Sequence, residues 1–242
     1  GVAVDVFNST VLLPFQGKSS FNGYDVQTPI YATKLLGLFE SSDVEDDFDL
    51  LDFEDSIGCN EYKEAGNMPL HTSAVWKYLR DVYELIVGEA STIDPDDDGS
   101  MSGTKDVEMK VSPGKGRGLF AKRDFLKGDE VFTTIYGGFY DSQAYRDYLR
   151  YLSISGNNDL ACDVLQWAYV TKTQLPEQIE KTYLKSGLVV GFDINPGSIV
   201  NNDNKNPNVG ALNGDVARDV HIALRDIRKG EELLTSYSAF EK

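Results

Sequence analysis

Cysteine, histidine and long apolar runs are all scarce in this sequence. Its 242 residues include only two cysteines and two histidines, which cannot build a disulfide framework or a tetrahedral zinc cluster. We expect reduced thiols at Cys59 and Cys162, with one bridge between them as the alternative. The longest aliphatic run, 85–87, is far too short to cross a bilayer. We therefore expect no membrane association and favour an intracellular location, in the nucleus or the cytoplasm.

Basic residues are scarce in the first half of the chain. Residues 1–110 contain 22 acidic and 7 basic residues, a net charge of −15, whereas residues 111–242 contain 17 and 16. Binding to duplex nucleic acid requires a basic surface that neutralises phosphates, so we expect no direct binding of this kind. An acidic half instead attracts a basic, lysine-rich protein or peptide. A solvated acidic face without a partner is the alternative interpretation.

The composition divides the chain into two parts. Residues 1–104 are predicted to be an acidic, partly helical extension, with a helix near 73–87 where apolar residues recur at helical spacing. Its last segment, 91–104, has the composition of a linker. Residues 105–242 are predicted to be mainly β with a helical insertion at about 139–187, an α+β class. The predicted strands are 107–111, 117–121, 130–136, 188–193 and 220–225, and the predicted helices are 141–152 and 161–184.

Part of the linker resembles a calcium-binding loop. Asp94, Asp96, Asp98 and Gly99 occupy the first, third, fifth and sixth positions of such a loop. Lys105 stands at the twelfth position, where calcium requires a bidentate carboxylate. We therefore interpret the segment as an acidic linker and predict no metal site.

Other segments of the second half carry patterns typical of binding loops. Gly114-Lys-Gly-Arg-Gly118 has glycine at three alternate positions, where bare backbone can approach a ligand closely. It lacks the Gly-Lys-Ser/Thr of a Walker loop, and Leu119 stands where the dinucleotide fingerprint has its third glycine. An Asn-rich segment, 193–208, and a hairpin ending at Tyr237 follow. Taken singly, such loops are also typical of ordinary turns.

Together, over residues 107–240, these blocks resemble the SET-domain protein lysine methyltransferases in order and spacing. Segment 114–132 is similar to the family's opening strand pair with its methyl-donor loop, and 136–138 to its Tyr-x-Gly turn. Segment 193–208 resembles the stretch that ends in the family's Asn-His pair and Pro-Asn, and 226–237 resembles its closing segment. The resemblance implies a SET-type β-clip of short strands with a knotted C-terminal segment.

The resemblance also implies an activity: transfer of a methyl group from S-adenosyl-L-methionine to lysine side chains of a basic protein, a histone tail or another lysine-rich protein. The small Thr235, where relatives carry a bulky aromatic, predicts a di- or trimethylated product. The implied catalytic residues are Tyr237 and Tyr136, and the implied channel residues are Tyr136, Thr235 and Tyr237. The implied donor-binding residues are Lys115, Gly116, Arg117, Gly118, Phe240 and either Asn201 or Asn202.

One departure from the family pattern keeps a second function open. Asn201-Asn202-Asp203 replaces the family's Asn-His-Ser. The missing histidine fits a catalytically weakened SET-like module that binds a protein partner through residues 1–104, whereas the intact glycine loop and Tyr237 fit the enzyme. His221 alternates with apolar residues on a predicted strand, so we interpret it as a strand-face histidine rather than a base.

Overall fold

The structure, a computed structural model, describes residues 19–21, 24–26, 50–66, 68–93, 104–133, 137–140, 142–171, 189–213 and 220–237. Several predictions fall outside these ranges: the catalytic role of Tyr136, the donor-binding role of Phe240 and the acidic linker at 94–99. No helix within the described ranges is both long and apolar enough to cross a membrane.

Short strands make up most of the second half of the chain. The described strands are β1 Ser19–Phe21, β2 Tyr24–Val26, β3 Val107–Ser112, β4 Gly116–Ala121, β5 Glu130–Thr133, β6 Gly137–Tyr140, β7 Tyr169–Thr171, β8 Val189–Asp193, β9 Asn201–Asn202, β10 Val209–Ala211, β11 Val220–Ala223 and β12 Leu234–Thr235. They pair into small sheets of two or three strands, in the orders β10-β11-β5, β6-β8-β7, β1-β2, β3-β4 and β12-β9. The pairing of β9 with β12 is parallel, and it brings the Asn-rich segment beside the closing segment.

The helices lie in the extension and in the predicted insertion. They are α1 Leu50–Ser56, α2 Cys59–Ala65, α3 Ser73–Val87, α4 Ser142–Ile154 and α5 Asn158–Trp167, with short 3-10 turns at Gly88–Ala90 and Pro196–Ile199. The predicted helix at 73–87 matches α3. The predicted helix at 161–184 is confirmed up to residue 167 and wrong at 169–171, where β7 pairs with β8; its remainder, 172–184, lies outside the described residues. The sequence of β7, Tyr-Val-Thr, consists of aromatic and β-branched residues that favour strands.

The mixture of short antiparallel strands and helices agrees with the predicted α+β class. Helix α3 packs into one apolar cluster with α4, α5, β6 and β8, so the extension and the insertion share a core. A second cluster holds the strands around β4, β5, β10 and β11. The knotted threading of the C-terminal segment and the division of the chain at residue 104 stay predictions.

The expectation of reduced thiols is wrong, because Cys59 and Cys162 form a disulfide. Cys59 begins α2 and Cys162 lies within α5, and both are buried. Their sequence separation is 103 residues, and only the packing of α2 against α5 brings them together. The bridge ties the extension covalently to the second half of the chain.

Replacing both cysteines by alanine (C59A/C162A) is expected to lower the free energy of unfolding by about 2–5 kcal/mol, because the bridge restricts the unfolded chain. Denaturant unfolding of the full chain, followed by circular dichroism, measures this difference. Wild-type protein unfolded in a strong reductant is the control and should lose a similar amount of stability. Equal stability of the oxidised wild type and the double variant would contradict the prediction.

Candidate functional site

A cavity of about 890 Å³ contains the glycine loop and the end of the closing segment in its walls. Residues 114–117, Asn201, Thr235 and Tyr237 all line it. Its volume lies within the usual range of ligand pockets, roughly 300–1,000 Å³. Residues that are far apart in the sequence thus face one common space.

The glycine loop is the tight turn between β3 and β4, with Ser112 paired to Gly116. Gly114 has φ 76° and Gly116 has φ 80°, left-handed conformations that favour glycine. Gly118 is needed for another reason, because a Cβ there would lie 2.6 Å from the Glu232 carboxylate and 2.9 Å from the Asn201 amide nitrogen. Gly118 itself does not line the cavity, but its missing side chain lets two polar groups approach the loop.

Glu232 joins the glycine loop to the Asn-rich segment. Its carboxylate accepts hydrogen bonds from the Ser112 hydroxyl at 2.7 Å and the Asn201 amide at 2.8 Å. The Lys115 ammonium lies 3.3 Å from the second carboxylate oxygen. Partial burial raises the pKa of Glu232, but these hydrogen bonds outweigh burial and the pKa falls below its ordinary value. Glu232 therefore stays ionised and holds three segments of the cavity wall in place.

The two neighbouring asparagines have different surroundings. The Asn201 amide nitrogen donates to the Arg117 carbonyl at 2.8 Å as well as to Glu232, which uses both of its hydrogens. Its carbonyl oxygen is left to accept a hydrogen bond at the cavity wall. Asn202 is exposed, is not among the lining residues, and accepts a hydrogen bond from the Tyr237 backbone at 3.0 Å.

The closing segment brings Tyr237 and Thr235 to the cavity. The Tyr237 hydroxyl donates to the Val200 carbonyl at 2.6 Å, and burial raises the pKa of this phenol. The hydroxyl therefore stays protonated near neutral pH and keeps this donated hydrogen bond. Thr235 is 3% exposed and contributes a small side chain to the wall. Asn208, fully buried, fixes this segment by accepting from the Leu234 backbone at 2.7 Å.

A buried ionic network anchors the side chain of Arg117. The guanidinium forms two parallel hydrogen bonds to the Asp163 carboxylate, at 2.8 and 2.6 Å, and a third to the Pro69 carbonyl at 3.1 Å. The His71 imidazole lies 2.6 Å from the same carboxylate, and the Trp167 ring lies 5.3 Å from the guanidinium carbon. Side-chain exposure is 3% for Arg117 and 0% for Asp163.

The charge of Asp163 is stabilised by its partners. Burial raises the pKa of this carboxyl, but hydrogen bonds from Arg117 and His71 lower it by more, so the pKa lies below its ordinary value. The carboxylate is therefore ionised and neutralises Arg117. Because Asp163 follows Cys162 in α5 and His71 lies in the extension, the network and the disulfide connect the same parts of the chain.

The extension supplies part of the cavity wall. Three described residues of the extension line the cavity: Lys63, Gly66 and Met68. The Met68 sulfur lies close to the glycine loop, 3.9 Å from the position that a Cβ of Gly116 would occupy. The Tyr62 hydroxyl donates to the Asp163 carboxylate at 3.0 Å. The cavity is therefore built jointly by the extension and the second half of the chain.

The structure brings together most of the site residues that were predicted from the sequence. Lys115, Gly116, Arg117, Asn201, Thr235 and Tyr237 line the cavity, and Gly118 and Asn202 lie next to it. Four further polar residues at or near the cavity were not predicted as site residues from the sequence: His71, Asp163, Asp193 and Glu232. Glu232 could have been found from its place in the closing segment, whereas no local pattern marks Asp163 inside its helix. His221 is buried and stacks on Phe132, with ring centroids 4.4 Å apart, and lines the cavity.

The SET domain family model matches residues 116–238, just over half of the chain. The chain therefore belongs to the SET domain family, whose members are protein lysine methyltransferases. This confirms the resemblance that the motifs indicate. No curated protein matches the chain.

Solved structures that are similar to part of the chain include CpSET8 from Cryptosporidium, with 21% identity over 54% of this chain and 56% of that chain and a TM-score of 0.32. The Neurospora SET domain protein DIM-5, a histone lysine methyltransferase, has 16% identity, coverages of 54% and 51%, and a TM-score of 0.32. ctPRC2, in an autoinhibited conformation bound to S-adenosylmethionine, has 20% identity, coverages of 55% and 15%, and a TM-score of 0.32. The chain spans about half the length of the first two structures.

Proposed function

We propose that this chain is an S-adenosylmethionine-dependent protein-lysine N-methyltransferase that acts on lysine side chains of a basic protein. A histone tail and another lysine-rich protein are both suitable substrates. The observation that carries the proposal is the cavity that contains the glycine loop, Asn201, Thr235 and Tyr237 in its walls. In the family motifs, residues of these types hold the methyl donor and the amine of the target lysine.

The residues at the cavity fit the polar groups of S-adenosylmethionine. The left-handed Gly114 and Gly116 expose backbone with no side chain at the wall. The carbonyl oxygen of Asn201 can accept from the donor's ammonium group, and Lys115 can pair with its carboxylate. A Cβ at position 118 would displace Asn201 and Glu232, so glycine is required there to keep Asn201 beside the loop.

The bound donor supplies an electrophilic methyl group on a sulfonium. The protein's part is to hold the amine in line with that group, and such positioning accounts for much of the acceleration in displacement reactions. The Tyr237 hydroxyl and the Val200 carbonyl, joined by their 2.6 Å hydrogen bond, would orient the amine nitrogen. Tyr136, whose position is not described, is proposed to line the channel.

The target lysine must lose a proton before it can attack. A free lysine has a pKa near 10.4, so it is charged at neutral pH. Removal from water and a neighbouring positive charge both lower that pKa. The buried side chains of Thr235, Phe132 and Val200 form a section of the cavity wall with little exposure to water, which supports such a shift.

Thr235→Tyr is expected to limit the product to lower methylation states, because the larger ring would fill the space that a methylated amine needs. The wild type is expected to give di- or trimethyl-lysine. Mass spectra of the product after exhaustive turnover measure the difference, and Thr235→Ser, which stays small, should behave like the wild type. A wild type that gives only monomethyl-lysine would contradict this prediction.

The second candidate function is a catalytically weakened module that binds a protein partner through its acidic extension. It is supported by Asn202, which stands at the position of the family's histidine. The contribution of Lys63, Gly66 and Met68 to the cavity wall favours the enzyme, since it gives the extension a role in the donor site. The same acidic extension can attract a basic substrate in either case.

Calorimetry with S-adenosylmethionine and the full chain separates the two functions. We expect binding by the wild type and a loss of affinity of at least about tenfold, or 1.4 kcal/mol, in Gly118→Ala. Labelled donor incubated with a panel of basic proteins, including core histones, then tests methyl transfer. Donor binding without transfer to any basic protein would favour the weakened module, and no donor binding would overturn the enzyme and leave the partner-binding module.

The compartment and partners stay predictions. A nuclear or cytoplasmic location and a lysine-rich partner were expected from the sequence, as was the absence of duplex nucleic acid binding. The disulfide between Cys59 and Cys162 is a feature typical of oxidising compartments. It therefore counts against the nucleus and the cytoplasm and in favour of a compartment where the bridge persists.

A further inference from the structure

One polar side chain at the cavity has no role in the site described so far. Asp193 ends β8, where its backbone pairs with Gly137 of β6, and the residue is 7% exposed and lines the cavity. Its Oδ1 atom is covered and accepts no hydrogen bond from any described residue. Buried carboxyl groups normally have partners, so this one indicates a ligand that supplies the missing contact.

The polar groups next to Asp193 are used elsewhere. The Asn195 side chain accepts from the Gly197 backbone at 2.6 Å and donates to the Thr133 carbonyl at 3.3 Å. The Ser198 hydroxyl donates to the backbone carbonyl of Asp193. The loop after β8 therefore satisfies its own backbone and leaves the carboxyl group to the cavity.

A cation from outside the described residues can supply the missing contact. Among the described residues, three cationic side chains line the cavity: Lys63, Lys115 and Arg117. Each is already paired with an acidic side chain that does not line the cavity. None of these ion pairs involves Asp193. A positively charged ligand group complements a carboxyl that the described residues leave without a counter-ion.

We propose that the Asp193 carboxylate receives the ammonium group of the target lysine and takes one proton from it before methyl transfer. This role rests on the proposed function. One N–H bond of the ammonium breaks, one O–H bond forms on Asp193, and the nitrogen keeps the electron pair with which it attacks. The proton then leaves the carboxylic acid for solvent, which restores the carboxylate for the next lysine.

The burial of Asp193 suits it to this exchange. In water the pKa values of aspartate and lysine differ by about six, which makes the carboxylate a poor base towards the ammonium. Burial raises the pKa of Asp193 well above its ordinary value, and the same dry surroundings lower that of a bound lysine. The two values approach each other, and proton transfer between the groups becomes less unfavourable.

Infrared spectroscopy of the full chain tests the proposal without the natural substrate. The probe is n-butylamine, which has the length and charge of a lysine side chain. The difference spectrum between wild type and Asp193→Asn isolates the bands of this carboxyl, and Asp81→Asn, on the exposed face of α3, is the matched control. We expect the alkylammonium probe to convert the carboxylate band into a carboxylic acid band with saturation, as the proposed proton transfer requires, and n-butanol to leave it unchanged.

The dependence of kcat/KM on pH supplies the second readout. Asp193→Asn is expected to slow methylation by about 100-fold at neutral pH, with unchanged donor affinity. The difference in kcat/KM between wild type and Asp193→Asn should decrease as the pH approaches 10, because free lysine is then deprotonated by the solvent. The other titratable side chains that line the cavity are Lys63, Lys115, Arg117, Tyr169, His221 and Tyr237, and His221→Asn is included to separate its titration from that of Asp193.

The outcomes distinguish this proposal from the proposed function. A wild type that binds no donor overturns both. If the wild type binds donor but its carboxyl bands do not change when n-butylamine is added, only the role of Asp193 is overturned. The same holds if Asp193→Asn retains the wild-type rate and pH profile, or if it loses donor affinity, since the carboxyl would then serve the donor.

Discussion

Asp163→Asn is expected to lower the free energy of unfolding by about 3–5 kcal/mol, because it leaves the buried guanidinium of Arg117 without a negative partner. The variant keeps the shape of the side chain and removes only its charge. Since Arg117 belongs to the glycine loop, the affinity for S-adenosylmethionine should fall as well. Denaturant unfolding and donor calorimetry on the same samples measure the two effects.

Two comparisons identify the cause of that loss. Asp81→Asn removes an exposed ion pair with Lys77 on α3 and should cost less than about 1 kcal/mol. Replacing both partners, as in R117M/D163L, should recover much of the stability, because no uncompensated charge remains. If Asp163→Asn costs no more than Asp81→Asn, the network does not stabilise the fold in the way described.

The stability that Asp163 contributes also has a defined pH dependence. Its pKa in the folded chain is lowered, so its contribution is present above the unfolded value of about 3.9 and is lost as the pH falls through the folded value. The difference in stability between wild type and Asp163→Asn should therefore be constant near neutral pH and shrink below about pH 4.

Tyr237→Phe is expected to reduce methyl transfer by about 100-fold, the effect typical of losing a positioning contact at the reacting atoms. The phenol donates to the Val200 carbonyl at 2.6 Å. Removing the hydroxyl deletes one of the two groups that would orient the amine and leaves the other, the Val200 carbonyl, without its partner. Donor affinity should change little, because the ring remains at the wall. Single-turnover rates with labelled donor, together with donor calorimetry, measure the two quantities separately.

The matched control for this variant is Tyr151→Phe, which removes a hydroxyl from a buried tyrosine of the helical cluster. It should leave both the transfer rate and the donor affinity unchanged. A Tyr237→Phe variant that transfers methyl groups at the wild-type rate would show that the hydroxyl does not position the amine. The proposed mechanism would then lose its central residue.

Much of the local structure could be predicted from the sequence, because it depends on residues a few positions apart. The apolar spacing in α3 and the glycine turn between β3 and β4 are examples, and both are observed. The end of α5 could not be predicted, because its continuation as β7 depends on pairing with β8. The motif order also indicated the family correctly, with Tyr237 and Asn201 at one cavity.

The contacts that hold the cavity together depend on tertiary structure. The disulfide joins residues 103 positions apart, and the pairing of Arg117 with Asp163 and His71 joins a strand, a helix and a loop of the extension. No periodicity marks these residues, since each lies within an ordinary local pattern. Only packing decides which buried charges are neutralised and which, like Asp193, are left facing the cavity. The sequence by itself determined the elements and the motif order; the tertiary structure decided the partners, because charge pairing depends on distance in space.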